Sequence, residues 1–125
     1  MSKITVLKSK LSKVIVTAAS VDYVGSITID EDLMDAAGLR EYEKVEVNGA
    51  TTPSRINTYV IKGKRGSGCI EMNGGASLHF KKGDEVHVLC FMEIDEKDGH
   101  NTLIVTTDKE NKIESVSLKT ISGKN

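Results

Sequence analysis

What most constrains this chain is the grouping of its apolar residues into short β-branched runs, each closed within a few residues by glycine or a polar turn. Ile4-Thr5-Val6-Leu7, Lys13-Val14-Ile15-Val16-Thr17 and Ile27-Thr28-Ile29 are of this kind. So are Lys44-Val45-Glu46-Val47, residues 55–61, Cys69-Ile70-Glu71-Met72 and residues 85–93. Side chains branched at Cβ suit a pleated surface and lose freedom in a helix, so each run predicts a strand. Lys10 falls between the first two. Residues 102–107 and 113–118 predict a hairpin across Asp108-Lys109-Glu110-Asn111. Residues 30–38 read as a short helix: Asp30 is a natural N-cap, acids fill the first turn, and Gly38 suits the position after the last. Asn48-Gly49 marks a turn. Many short strands with one or two helical turns predict a mainly β chain, a closed barrel or compact sandwich. A faint internal echo points to two interlocked halves. Ile29, Val45 and Val47 stand 41 residues before Ile70, Val86 and Val88.

At 125 residues the chain predicts a single domain. Its 17 basic and 18 acidic residues leave a net charge of −1, which argues against nucleic acid or an anionic membrane as the main partner. Hydrophobic content is 38%, with three tyrosines, two phenylalanines and no tryptophan. Association with sister subunits would help so modest a core. Cys69 and Cys90 have no metal spacing and sit in apolar runs, so buried free thiols are expected. No run reaches the ~18 apolar residues of a membrane span. The N-terminal alternation of lysine with apolar residues is no signal peptide. Together these predict a reducing, cytoplasmic setting.

A different kind of signal is Tyr23-Val24-Gly25-Ser26. Gly-Ser after a β-rich segment is a common turn, and it recurs at Gly66-Ser67. It can also be a backbone that cuts itself. Serine Oγ attacks the preceding carbonyl carbon and turns the amide into an ester. Elimination leaves a dehydroalanine, and its hydrolysis, with loss of ammonia, leaves a pyruvoyl group at the new N-terminus. Glycine suits the position before the attack, having no Cβ and tolerating strained φ/ψ.

Other residues could serve such a centre. In residues 55–61 side chains alternate between faces, so Arg55, Asn57, Tyr59 and Ile61 share one and Thr58 takes the other. Arg55 and Tyr59 could therefore project into one pocket, the guanidinium clamping a carboxylate and the phenol lending a proton. The plainer alternative is barrel packing for Tyr59 and a solvated edge for Arg55. A role for Thr58 at the Gly25–Ser26 bond would need twist, a bulge or an edge. Asn73-Gly74-Gly75-Ala76 is either a glycine turn or a nest of backbone N–H groups that holds an anion. His79, His87 and His100 show no ligand spacing and predict no metal. P-loop, GxGxxG and G-x-S-x-G patterns are absent from the sequence.

As an ensemble these residues resemble the pyruvoyl-dependent aspartate 1-decarboxylase family. The likeness runs from about Lys10 to Phe91. It rests on Lys10-Leu11 through Val14-x-Val16-Thr17, Tyr23-x-Gly25-Ser26, Ile29-Asp30 with Asp35-Ala36-Ala37-Gly38, Arg55-x-x-Thr58-Tyr59, Arg65-Gly66-Ser67, and Asn73-Gly74-x-Ala76 with Gly83-Asp84. Val24 stands where the family often has glutamate, and Ser12 and Asp22 where histidines occur in some members.

The resemblance implies a double-psi β-barrel with short helical links, assembled as a homotetramer. It implies self-cleavage at Gly25–Ser26 into a β chain, residues 1–25, and an α chain, residues 26–125, with Ser26 converted to pyruvoyl. L-aspartate would form a Schiff base with that group and leave as β-alanine and CO₂, feeding pantothenate and coenzyme A synthesis. Thr58 would assist the cleavage and Tyr59 would be the proton donor. Lys10, Arg55, Thr58, Asn73, Gly74, Gly75 and Ala76 would bind substrate, and a maturation factor is a candidate partner. The competing readings are a non-enzymatic double-psi barrel acting as a binding module and a pyruvoyl decarboxylase of another amino acid.

Overall fold

The computed structural model describes residues 2–22 and 24–124. Tyr23 of the Tyr23-Val24-Gly25-Ser26 motif therefore lies outside the described residues. The strands are β1 (Lys3–Ile15), β2 (Ala18–Ser20), β3 (Ser26–Asp30), β4 (Lys44–Gly49), β5 (Arg55–Gly63), β6 (Ile70–Asn73), β7 (Glu85–Asp95), β8 (His100–Thr107) and β9 (Ile113–Ile121). The helix α1 (Glu31–Ala37) follows β3, and a 3₁₀ turn (Gly74–Leu78) follows β6. The strand order is β2-β6-β3-β5-β4-β7-β1-β8-β9. This is the mainly β architecture expected, in keeping with a double-psi barrel.

The β-branched runs of the central strands bury one row of side chains each, whereas Ile4–Leu7 and the whole of β9 stay outside the core and are held by strand pairing. Ile27, Ile29, Val45, Val47, Val60, Ile70, Val86 and Val88 are buried, and they share one core with Leu33 and Met34 of α1. The echo has a structural counterpart. Ile29 lies opposite Ile70 in the antiparallel β3/β6 pair, and Val47 opposite Val88 in β4/β7. Residues 41 apart in the sequence thus pair directly across neighbouring strands.

The N-terminal segment departs from expectation. The two predicted strands are one continuous β1, with Lys10 inside it. The polar stretch Lys8-Ser9-Lys10 reads as a break because its side chains do not alternate apolar and polar. Backbone pairing carries it instead: β1 runs antiparallel to β7 on one side and parallel to β8 on the other. Irregularities after Leu7 and Leu11 absorb the mismatch, and Lys13 takes a left-handed φ of 56° within the second. Asn48-Gly49 closes β4 rather than forming the turn itself.

α1 is capped as its sequence prescribes. The Asp30 side chain accepts from the Asp32 N–H at 2.8 Å, and Gly38 is left-handed with φ 67°. Asp30 does more than cap. Its carboxylate also accepts the N–H groups of Gly66 at 2.9 Å and Gly68 at 2.7 Å, at only 2% exposure. Burial alone would raise this carboxyl; the donors of Gly68, Asp32 and Gly66, with Lys112 nearby, hold it below the usual carboxylate range.

Asp30→Ala removes a cap and orphans a buried N–H, so a loss of about 2–4 kcal/mol is expected in urea unfolding at neutral pH. The folded carboxyl lies below its unfolded value. Its stabilisation is therefore present above about pH 4 and fades as pH falls toward the folded value. Wild type should lose more stability than Asp30→Ala between pH 5 and pH 3, and equal losses would show that Asp30 is not the responsible group.

Candidate active site

Ser26 is the first residue of β3 and lies opposite Asn73, the last of β6. The Asn73 amide nitrogen donates to both Ser26 Oγ and Thr28 Oγ1, each at 2.9 Å. The Ser26 hydroxyl donates to the Val24 carbonyl at 3.2 Å. Ser26 is 4% exposed. This hydroxyl is therefore held from two sides at the head of a strand.

The β3/β5 pairing decides what lies beside it. These strands run parallel, with Ile27 opposite Val60 and Thr28 opposite Ile61. Carried back along both chains, the same register brings Ser26 abreast of Tyr59 and Gly25 abreast of Thr58. Pairing stops at Ile27/Val60, so Thr58 and Tyr59 occupy a stretch of β5 whose β3-side edge is free. An edge is one of the conditions that a role for Thr58 at the Gly25–Ser26 bond would need. Gly25, Thr58, Tyr59, Gly75, Ala76 and His79 all line one cleft of about 420 Å³. A second, of about 480 Å³, is lined by Val24, Ser26, Thr28, Tyr59, Glu71 and Asn73 among others. Tyr59 lines both.

The stretch after Asn73 is the 3₁₀ turn (Gly74–Leu78). Gly74, with φ 57°, and Ala76 are buried, while Gly75 is exposed, with no heavy atom within 4 Å of where its Cβ would stand. The Gly75 nitrogen lies 3.7 Å from where a Cβ on Gly25 would stand. Gly25 itself has no positive φ and room for ordinary contacts.

Two expected substrate contacts stand elsewhere in the chain. Lys10 lies in β1, opposite Leu89 and Ile104. Together with burial, its charge holds the His87 imidazole below the usual range. Arg55 opens β5, exposed and opposite Asn48. Neither lines either cleft. Arg55 and Tyr59 share a face, as alternation predicts, but four residues of strand separate them by about 13 Å. Sharing a face does not give them a common pocket within one chain.

Thr28 and His79 are the site residues that sequence reasoning misses. Thr28 reads there only as strand, although its place two residues after Ser26 puts it on the same face. His79 reads there as a surface or packing residue; it is exposed, and its wall of the cleft is set by the 3₁₀ turn that precedes it.

Competing nucleophiles are weak. Burial, and then the Glu43 carboxylate that accepts its proton at 3.2 Å, push the Cys90 thiol up to about 12. Burial raises Cys69 as well. Both stay protonated near neutral pH. Among the described residues, no group of three or more His, Cys, Asp and Glu side chains is placed to hold a metal ion. Among them, too, no helix is long and apolar enough to cross a membrane.

Comparison with known proteins agrees with this geometry. The family model for aspartate decarboxylase matches residues 2–114. The chain is 48% identical over 118 residues to the aspartate 1-decarboxylase of Caldicellulosiruptor saccharolyticus, covering 93% of this chain and 92% of that protein. It is 44% identical over 120 residues to that of Exiguobacterium sibiricum, covering 94% of each. With the aspartate 1-decarboxylase of Acetivibrio thermocellus it shares 43% identity over 122 residues, 96% of this chain and 97% of that one. The match takes in both strands that frame Gly25–Ser26, and on this footing the chain belongs to the aspartate decarboxylase family.

Proposed function

We propose that this protein is a pyruvoyl-dependent aspartate 1-decarboxylase, which cuts itself at Gly25–Ser26 and converts L-aspartate to β-alanine and CO₂ in the cytoplasm for pantothenate and coenzyme A synthesis. The observation that supports the reading is the cleft shared by Gly25, Thr58 and Tyr59, next to a parallel β3/β5 pairing that starts at Ile27/Val60 and, extended back by two residues, would bring Gly25-Ser26 abreast of Thr58-Tyr59.

Maturation begins when Ser26 Oγ leaves the Val24 oxygen and attacks the Gly25 carbonyl carbon. The C–O bond forms and the C–N bond breaks. Elimination then frees the Gly25 carboxylate, and water replaces the residue 26 nitrogen with oxygen, releasing ammonia. The Asn73 amide keeps Oγ in place. The Thr58 hydroxyl faces the developing oxyanion, a contact worth about 3 kcal/mol for one donor.

The site suits the resulting group. β3 stays paired to β5 and β6 from its first residues, so the new terminus remains anchored after the cut. A pyruvoyl ketone at residue 26 would supply an electron sink for the pair left on the substrate carbon as the α-carboxylate departs. Tyr59, at the junction of the clefts, donates the proton that the product carbon takes up. Gly74, Gly75 and Ala76 offer backbone to the substrate. Lys10 and Arg55 hold its carboxylates, and their absence from the lining of both clefts within one chain fits a homotetramer in which a neighbouring copy brings them to the site.

Intact-mass analysis of aged protein, with a decarboxylation assay on L-aspartate, tests this. Two fragments, of residues 1–25 and 26–125, with release of β-alanine are expected. One unbroken chain without activity would overturn the reading, and preference for another amino acid would correct the substrate. Cleavage only in a cell extract would show that a maturation factor takes part.

A further inference from the structure

Tyr42 sits in the loop between α1 and β4, with φ 69°. That left-handed backbone costs a residue with a β-carbon about 1–2 kcal/mol, and asparagine or glycine bears it better. The loop is nonetheless clamped in this form. The Tyr42 N–H donates to the Val60 carbonyl at 2.7 Å, and the Val60 N–H donates back to the Glu43 carbonyl at 3.0 Å. The Glu43 carboxylate accepts from the Arg40 N–H at 2.9 Å, Lys8 Nζ at 2.8 Å and the Cys90 thiol at 3.2 Å. The two backbone ties fix the loop to β5 at the residue that follows Tyr59, and the carboxylate ties hold it to β1 and β7.

The consequence is a ring pair. The Tyr42 and Tyr59 ring centroids stand 6.0 Å apart, tilted by 37°, within the range of favourable aromatic contact. Tyr42 is otherwise 71% exposed. A strained, solvent-facing position thus carries an aromatic side chain, and the ring it meets is that of Tyr59.

We propose that Tyr42 is a positioning residue for Tyr59. Its ring buttresses the Tyr59 ring from the solvent side and limits where the phenol oxygen lies in the cleft. This rests on the reading of Tyr59 as proton donor. Small displacements of a reacting group are costly, up to about a hundredfold in rate for 1 Å.

The test compares Tyr42→Asn, Tyr42→Phe, Tyr59→Phe and the double variant Tyr42→Asn with Tyr59→Phe. Asparagine tolerates the left-handed backbone, so Tyr42→Asn should fold, cleave and melt as wild type does. Its kcat should fall about tenfold with KM little changed. Tyr42→Phe keeps the ring and should restore kcat. In the Tyr59→Phe background, Tyr42→Asn should cost nothing further, because the two act as one unit. Wild-type kcat in Tyr42→Asn, where Tyr59→Phe is impaired, would overturn the proposal. So would a change confined to KM, or an equal loss in Tyr42→Phe. Full activity in Tyr59→Phe would instead sink the underlying assignment of the proton donor.

Discussion

Ser26→Ala is expected to yield one uncut chain that traps no carbonyl reagent and releases no β-alanine. The substitution removes the attacking atom and nothing else of size. The Asn73 amide keeps one partner, Thr28 Oγ1, and loses one hydrogen bond with Ser26 Oγ, a cost of about 1 kcal/mol. β3 keeps its pairings to β5 and β6, which are made by backbone. The fold should therefore melt close to the uncut wild-type chain, and the loss is chemical. A readout by mass separates the outcomes cleanly, since two fragments from the alanine variant would refute attack by the Ser26 hydroxyl. Asparagine or threonine neighbours cannot substitute, because neither shares the bond to be cut.

Tyr59→Phe should cut normally and then fail at turnover. The ring stays, and with it the wall of both clefts and the contact with Tyr42. Only the hydroxyl goes. A positioned general acid contributes about 10²–10⁴-fold, and kcat should fall within that range while KM moves little. Both fragments should appear at the wild-type rate, because the cleavage is assigned to Ser26, Asn73 and Thr58. Wild-type turnover would remove Tyr59 from the reaction. Slow cutting would instead place it in maturation.

Local rules make some of this legible in the sequence. The Asp30 cap and the Gly38 terminus are set by their own side chains and backbone, and both lie where composition puts them. The hairpin of β8 and β9 follows from two β-branched runs around a polar turn. β1 is less legible, since its polar centre is held by β7 and β8, which lie far along the chain. The site divides in the same way. Ser26, Tyr59 and Asn73 can be named from residue type and resemblance. That Thr58 lines a cleft with Gly25 and Tyr59 follows from the pairing of β5 with β3, and no alternation rule within residues 55–61 contains it. Tyr42 shows the limit most sharply. An exposed loop tyrosine carries no signal by itself, and its meaning comes from a clamp made by Val60, Lys8 and Cys90.

β1 lies between β7 and β8 yet precedes the bond assigned to break. Once severed, the two pieces would be held by sheet hydrogen bonds and shared core alone, and renaturation would become a second-order encounter. Recovery from denaturant should then depend on dilution, unlike that of the unprocessed chain. On the proposed cleavage, folding would come first and the cut second, and maturation would act as a ratchet: the sheet would be assembled while the polypeptide is still continuous.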